Sequence, residues 1–265
     1  MKDRILKYLS DEYPWRESIH YEPTITSTND VLKQMAAQGA PHGTVLIAGH
    51  QTGGRGRLGR SFLSPPDVGI YLSMLLRPSS PPDQLMHLTC AVGNAVCDAI
   101  ESVIGIRPGI KWTNDIVCRK RKLAGILTEM VFGTGQQIDC AIIGIGINCT
   151  QSPEDFPEEI RDMAGSLAMV CGKKIDRAAV AAAVIEALAG MDGILLPERH
   201  AIMERYRKNC ITIGQEVSVV RGESIRYGKA LDVDENGGLI VAFRDGDVET
   251  VSSGEVSVRG LYHYV

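Results

Sequence analysis

Two textures of apolar patterning divide the chain. Up to about residue 210, apolar residues come either in long runs or at helical spacing. The runs at 44–48, 69–76, 123–132 and 138–147 are contiguous and rich in Ile, Leu and Val, which predicts strands of a sheet covered on at least one face. A further strand is predicted over 110–118, joined to 123–132 by a turn at Arg119-Lys120-Arg121-Lys122. Leu85, Leu88, Val92, Val96, Ile100 and Val103 recur at helical spacing, the stripe of a helix over 85–104 that packs on that sheet. Ser27 or Thr28 is placed to cap a helix over 29–38 that Gly39 ends. Residues 178–188 and 202–209 read as further helices, 23–26 as a brief strand, and 1–13 as a short amphipathic helix stopped by Pro14.

From residue 211 the apolar runs become short and alternating, at 217–220, 227–233, 238–243 and 248–251. Asn236-Gly237 and Asp245-Gly246 between them are hairpin signals. The expected organisation is α+β: a mixed β-sheet with helices packed on it over 1–210, and a small β-barrel domain over 211–265. No internal repeat is seen.

Composition bounds the class. With 265 residues, 44% hydrophobic and 23% charged, the chain has the make-up of a folded protein with a substantial core. A net charge of −4 argues against a surface built for general nucleic-acid binding. The seven cysteines form no C-x-x-C pair and lie mostly in apolar surroundings, so buried reduced thiols are expected rather than disulfides or zinc. No run approaches the roughly 18 apolar residues of a membrane span, and no apolar leader follows the charged N-terminus. A cytoplasmic protein is expected.

Against that acidic background one loop concentrates positive charge. Gly54-Arg55-Gly56-Arg57-Leu58-Gly59-Arg60 lies between two predicted core strands. Its glycines keep it from settling into helix or strand, and its guanidinium forks suit carboxylate and phosphate oxygens. The expected device is a mobile lid whose arginines lack partners until an anion arrives.

Three further motifs accompany this loop: Ser27-Thr28-Asn29; Lys111-Trp112-Thr113-Asn114-Asp115 followed by Arg121-Lys122-Leu123-Ala124-Gly125-Ile126-Leu127; and Gly144-Ile145-Gly146-Ile147-Asn148. Four such motifs in this order, from about residue 24 to the end of the chain, resemble biotin–protein ligase, also called biotin–[carboxylase] holoenzyme synthetase. The resemblance implies a class II synthetase-like catalytic domain with a C-terminal SH3-like β-barrel. It also implies a two-step reaction. Biotin and ATP give biotinyl-5′-AMP and pyrophosphate, and the ε-amine of a lysine on a biotin carboxyl carrier protein or domain then displaces AMP. ATP and Mg²⁺ are the expected cosubstrates, with no prosthetic group.

By match to the family, Ser27, Thr28, Asn29 and Gln51 would satisfy the ureido head of biotin, whose two N–H groups and carbonyl are costly to bury unpaired. Gly125 and Leu127 would line the apolar floor. Arg55, Gly56, Arg57 and Lys122 would be the biotin and adenylate contacts, with Lys122 nearest the reacting groups. Charge building around the α-phosphate calls for cations, and Arg55, Arg57, Arg60, Lys111 and Lys122 meet that need. Asn114 and Asp115 could orient the triphosphate through magnesium, or Asp115 could assist deprotonation of the incoming amine. Trp112 is as fitting for a core aromatic as for a wall of the adenine site. Asn148, Glu255 and Arg259 resemble the family's contacts to the nucleotide, while Arg119, Lys120 and Arg121 read as a solvated turn. Thr113 stands where the family usually has proline, and Phe62 where it often has tryptophan.

Other readings remain. A lipoate–protein ligase shares the fold and the adenylation, but the Arg-Gly loop and the polar set at Ser27–Asn29 and Gln51 count against it. A non-catalytic biotin-sensing regulator would need a DNA-reading element, and with 26 residues before Ser27 none is expected, since such a unit takes roughly 45–60 residues. A homodimer is expected, without DNA or membrane partners.

Overall fold

A computed structural model describes residues 1–133, 137–221 and 224–252, and residues 257–260 by backbone; Arg221 is likewise described by its backbone alone. Seven strands form the main sheet: β1 (Ile19–Ile25), β2 (Val45–Gln51), β3 (Gly69–Leu76), β4 (Gly109–Lys111), β5 (Asp115–Cys118), β6 (Arg121–Phe132) and β7 (Ile138–Asn148). Their order is β1-β2-β3-β7-β6-β5-β4. Only β1 and β2 run parallel, so the sheet is mixed. Pro23 sits in β1, an edge strand paired only with β2, where a missing N–H breaks no ladder.

Strand alternation sends side chains to two different cores. On one face Val45, Ile47, Ile70, Leu72, Met74, Ile143, Ile145 and Ile147 join the large core shared with α3 (Leu88–Ile104) and α5 (Arg177–Asp192). Helix α6 (Arg199–Asn209) adds to that layer. On the other face Leu46, Leu75, Cys140 and Ile142 meet Leu32 and Ala36 of α2 (Thr28–Ala37). The capping expectation holds: Ser27 is the N-cap of α2, its side chain accepting from the Asp30 N–H.

Three expectations needed correction. Helix α1 spans only Lys2–Leu6, because Arg16 donates to the carbonyls of Leu6, Leu9 and Ser10 and so caps the chain as it turns. Residues 110–118 are not one strand. The chain folds back at Trp112–Asn114 into the β4–β5 hairpin, which sets Lys111 opposite Asp115. Nor is Arg121 solvated: its guanidinium donates to the carbonyls of Arg161 (2.6 Å) and Ala164 (2.9 Å). The segment after β7 is thereby tied to the start of β6, with the short helix α4 (Leu167–Cys171) following it.

The C-terminal part is a five-stranded antiparallel sheet of β8 (Glu216–Arg221), β9 (Ser224–Val233), β10 (Leu239–Phe243), β11 (Val248–Val251) and β12 (Ser257–Gly260), in the order β11-β10-β9-β8-β12. Both hairpin signals lie where expected, with Gly237 and Gly246 at φ 86° and 101°. The β9–β10 turn is fastened to the first part of the chain. Trp112 Nε1 donates to the Gly237 carbonyl at 2.8 Å, and Arg207 to Val233 O and Glu235 at 2.6 Å each.

Candidate functional site

A cavity of about 650 Å³ opens on the α2 side of the main sheet. Its floor follows from the alternation of β7. Along one face run Cys140, Ile142, Gly144, Gly146 and Asn148; the first two plug against α2, and the glycines leave a trough. Each glycine makes room for a named group. A Cβ on Gly144 would lie 2.2 Å from Asn29 Oδ1, and one on Gly146 would lie 2.4 Å from the ring of Phe62. In β6, Gly125 and Leu127 line the same trough.

At one end the wall is a buried polar network. Gln51 Oε1 accepts from the backbone N–H and the hydroxyl of Thr28 (2.8 and 3.0 Å), and Gln51 Nε2 donates to Ser64 Oγ (2.9 Å). Ser73 Oγ lies 2.8 Å from Thr28 Oγ1 and 2.5 Å from Asn29 Oδ1. Asn29 Nδ2 donates to Leu127 O at 3.2 Å and to Glu129 Oε2 at 2.7 Å. Buried polar groups are stable when linked in this way, because each replaces its lost water partners. Burial pushes the Glu129 carboxyl up, yet hydrogen bonds from Lys33 and Asn29 and the charges of Lys33 and Arg55 prevail, holding it below the usual carboxylate range.

Cations gather at the other end. Lys122 Nζ sits 2.6 Å from Asp115 Oδ1, and Arg57 Nη1 donates to Asn114 Oδ1 at 3.0 Å. Asn114 is itself fixed, its Nδ2 donating to Ile126 O at 2.8 Å. Burial draws the Arg57 pKa down while Asp115 acts to raise it; a guanidinium stays charged at neutral pH regardless. Lys111 and Arg60 complete this side of the lining.

The Arg-Gly loop is a small hairpin that folds over the cavity. Gly56 N–H donates to Arg60 O at 2.7 Å and Phe62 N–H to Gly54 O at 2.9 Å. Leu58 and Gly59 adopt φ of 56° and 74° at its tip, the left-handed region that glycine tolerates and leucine resists. The expectation of unpartnered arginines is not met. Arg55 pairs with Asp30 and, at 3.4 Å, with Glu129, and Arg57 holds Asn114.

Ser27, Thr28, Asn29, Gln51, Arg55, Gly56, Arg57, Arg60, Lys111, Trp112, Asn114, Asp115, Lys122, Gly125, Leu127 and Asn148 all line this cavity. Trp112 is 6% exposed, as a core aromatic would be, and it also lines the cavity. Asn148 has its amide engaged, with Nδ2 on Gly165 O at 3.0 Å and Oδ1 accepting from Gln151 at 3.3 Å. Glu255 lies outside the described residues, and Arg259 is described by its backbone in β12 alone. Sequence reasoning missed Ser73 and Glu129, which hold Asn29, and the apolar wall of Phe156, Ile160, Met163 and Ala164. A hint was present for all but Ser73: Glu129 interrupts an apolar strand, though only its partners tell it from a misplaced polar residue, and the four wall residues fall at helical spacing.

A family described as Biotin/lipoate A/B protein ligase matches residues 21–148, and the Biotin protein ligase C terminal domain matches 212–259. The Bacillus subtilis bifunctional ligase/repressor BirA is 34% identical over 239 residues, covering 90% of this chain and 73% of that protein. The chain belongs to the biotin protein ligase family. A Mycobacterium tuberculosis protein named biotin–[acetyl-CoA-carboxylase] ligase is 33% identical over 250 residues, covering 91% of this chain and 89% of its own. Among solved structures, the Aquifex aeolicus biotin protein ligase in complex with biotin and ATP has 30% identity and a TM-score of 0.76, covering 91% of this chain and 98% of its own. The chain is therefore an enzyme of this class, a ligase of biotin with a mixed-sheet α+β part and a C-terminal β part. Among the described residues, no helix is long and apolar enough to cross a membrane.

Proposed function

We propose that this ligase activates biotin as biotinyl-5′-AMP and transfers the biotinyl group to a lysine of a biotin carboxyl carrier domain. The observation that carries the reading is the division of one cavity into two ends. The buried network of Thr28, Asn29 and Gln51 suits a polar, uncharged head, and Arg57, Lys111 and Lys122 suit a carboxylate meeting a phosphate. The trough over Gly125, Gly144 and Gly146 joins the two ends.

In this reading the biotin carboxylate oxygen attacks the α-phosphorus, the bond to pyrophosphate breaks, and the cations stabilise the charge that builds on the phosphoryl oxygens. Lys122 lies nearest the reacting groups, with Asp115 fixing its ammonium. Arg57, braced by Asn114, closes over the mixed anhydride until the carrier amine attacks its carbonyl carbon and AMP leaves. Trp112 and the wall from Phe156 to Ala164 receive the nucleotide. Magnesium would arrive with ATP. Among the described residues no three His, Cys, Asp or Glu converge as a cage for a metal, and magnesium commonly uses phosphates, water and one or two carboxylates. Asp115 is the carboxylate in place for that contact.

The same reading takes residues 1–210 as the catalytic unit and 211–265 as an SH3-like unit. It also takes the protein as a cytoplasmic homodimer that acts without DNA. The decisive experiment is mass spectrometry of a carrier domain incubated with the protein, biotin, ATP and magnesium. A single biotinyl addition on one lysine is expected. No addition, or addition from lipoate in its place, refutes the reading.

A further inference from the structure

Glu129 touches none of the reacting groups assigned above, yet it is the hub of the polar end. One of its oxygens, Oε1, accepts from Lys33 Nζ at 2.7 Å and lies 3.4 Å from Arg55 Nη2; the other, Oε2, accepts from Asn29 Nδ2 at 2.7 Å. Strand alternation sends it to the trough side of β6, two residues beyond Leu127, whose carbonyl accepts the second Nδ2 hydrogen at 3.2 Å. Both hydrogens of the Asn29 amide are thus spent on acceptors.

An ionised carboxylate and a backbone carbonyl can only accept. Turning the Asn29 amide over would set its oxygen against both of them, so the amide has one allowed orientation. Its oxygen then lies over Gly144, in the trough, where Ser73 Oγ occupies one lone-pair direction at 2.5 Å. One lone pair is left.

We propose that Glu129 is a positioning residue that sets the substrate specificity of the polar end: it locks Asn29 as an acceptor toward the cavity, so that the bound head must bring an N–H to that point. The inference rests on the biotin reading above and deepens it. Lys33 and Arg55 keep the lock in place, because two cations facing Glu129 hold it ionised and therefore accept-only. The carboxyl lies below its usual range for the same reason.

The test is Glu129→Gln, which is nearly isosteric. Lys33 and Arg55 can only donate, so they draw the glutamine oxygen and leave its NH₂ facing Asn29, and the lock is lost. Calorimetry on the purified full chain measures biotin and two analogues in which one ureido N–H, in turn, is a ring oxygen. The wild type should reject one of the two analogues by about a hundredfold or more relative to biotin. In Glu129→Gln biotin should weaken by about tenfold, and that rejection should shrink to about tenfold or less. An unchanged rejection ratio in Glu129→Gln overturns the proposal while leaving the biotin reading intact. Failure of the wild type to bind biotin overturns both. Should the variant unfold, nitrogen-15 spectra of the wild type decide. The Asn29 side-chain amide protons should be protected from exchange before and after biotin is added; protection that appears only with biotin would mean that Asn29 donates to the ligand, and the proposal fails.

Discussion

With Lys122 in its proposed place at the reacting groups, its replacement by alanine should separate catalysis from stability, because the ion pair seen in the structure is small beside the effect such a role would carry. The Lys122–Asp115 pair is 2.6 Å long, with side chains 30% and 19% exposed. A pair of that exposure contributes about 0.2–1 kcal/mol to folding. For a chain of this size 1 kcal/mol moves Tm by about 2–4 °C, so the fall should not exceed about 4 °C. The backbone bonds at this position, Lys122 N–H to Met163 O at 2.7 Å and Gly165 N–H to Lys122 O at 2.9 Å, do not depend on the side chain. They keep β6 and the 161–165 segment together.

The catalytic loss should be far larger. A single preorganised group aimed at developing charge is worth about 3–4 kcal/mol, or about 10²–10³ in rate. Pyrophosphate release, with biotin and magnesium–ATP saturating, should fall by that factor while the melting curve barely moves. Activity within about threefold of wild type, under about 0.7 kcal/mol, would refute the placement of Lys122 at the reacting groups. A parallel collapse of Tm would refute the separation, since the loss would then be one of folding.

Gly144→Ala would drive a methyl to 2.2 Å from Asn29 Oδ1. Displacing that buried amide should cost about 1–3 kcal/mol of stability and raise the KM for biotin with that for ATP unchanged, as steady-state kinetics and melting will check. Arg57→Gly removes the bond to Asn114 and should let biotinyl-AMP escape. The readout is biotin on a bystander such as serum albumin, at matched ATP turnover, and no rise there would exclude Arg57 from the clamp. The Glu129 carboxyl is depressed in the folded chain, so its contribution is complete above the unfolded carboxylate pKa and lost as pH falls through the folded value. Biotin affinity by calorimetry should therefore stay flat from neutrality down to the ordinary carboxylate range and drop only below it.

The sheet was legible in the sequence where burial was one-sided and continuous. Residues 69–76 and 138–147 needed only their apolar runs, and β3 and β7 fall there. What the runs concealed was a reversal. Ile110 and the run after Asp115 are both apolar because both strands face the α3 core, so the fold-back at Trp112–Asn114 leaves no mark in hydropathy. The cavity residues were legible through motif, since Arg, Lys, Asn and Gly in fixed order report chemistry directly. Their supports were harder to see. Ser73 and Glu129 belong to strands that otherwise read as core, and only the partners they meet across the trough distinguish them from misplaced polar residues. Arg121 shows the same limit, because nothing local reveals that the carbonyls of Arg161 and Ala164 come to meet it.

One sheet face therefore carries two kinds of information. Toward α2, Leu46, Leu75, Cys140 and Ile142 specify a dry plug that tolerates any well-fitted apolar set. Farther along, Ser73, Gly144 and Gly146 specify a surface on which each hydrogen-bond direction is assigned. A buried network of this kind is stable only when its members are satisfied, and the residual valence left over is small and directional. Here it includes the second lone pair of Asn29 Oδ1 and the second Nε2 hydrogen of Gln51, whose other bonds are taken within the protein. An acceptor and a donor left over in the lining of one cavity suit a group that carries both N–H and C=O. Affinity for such a head is therefore built before any ligand arrives, and losing one member of the network should alter which heads are accepted more than how tightly the chain is folded.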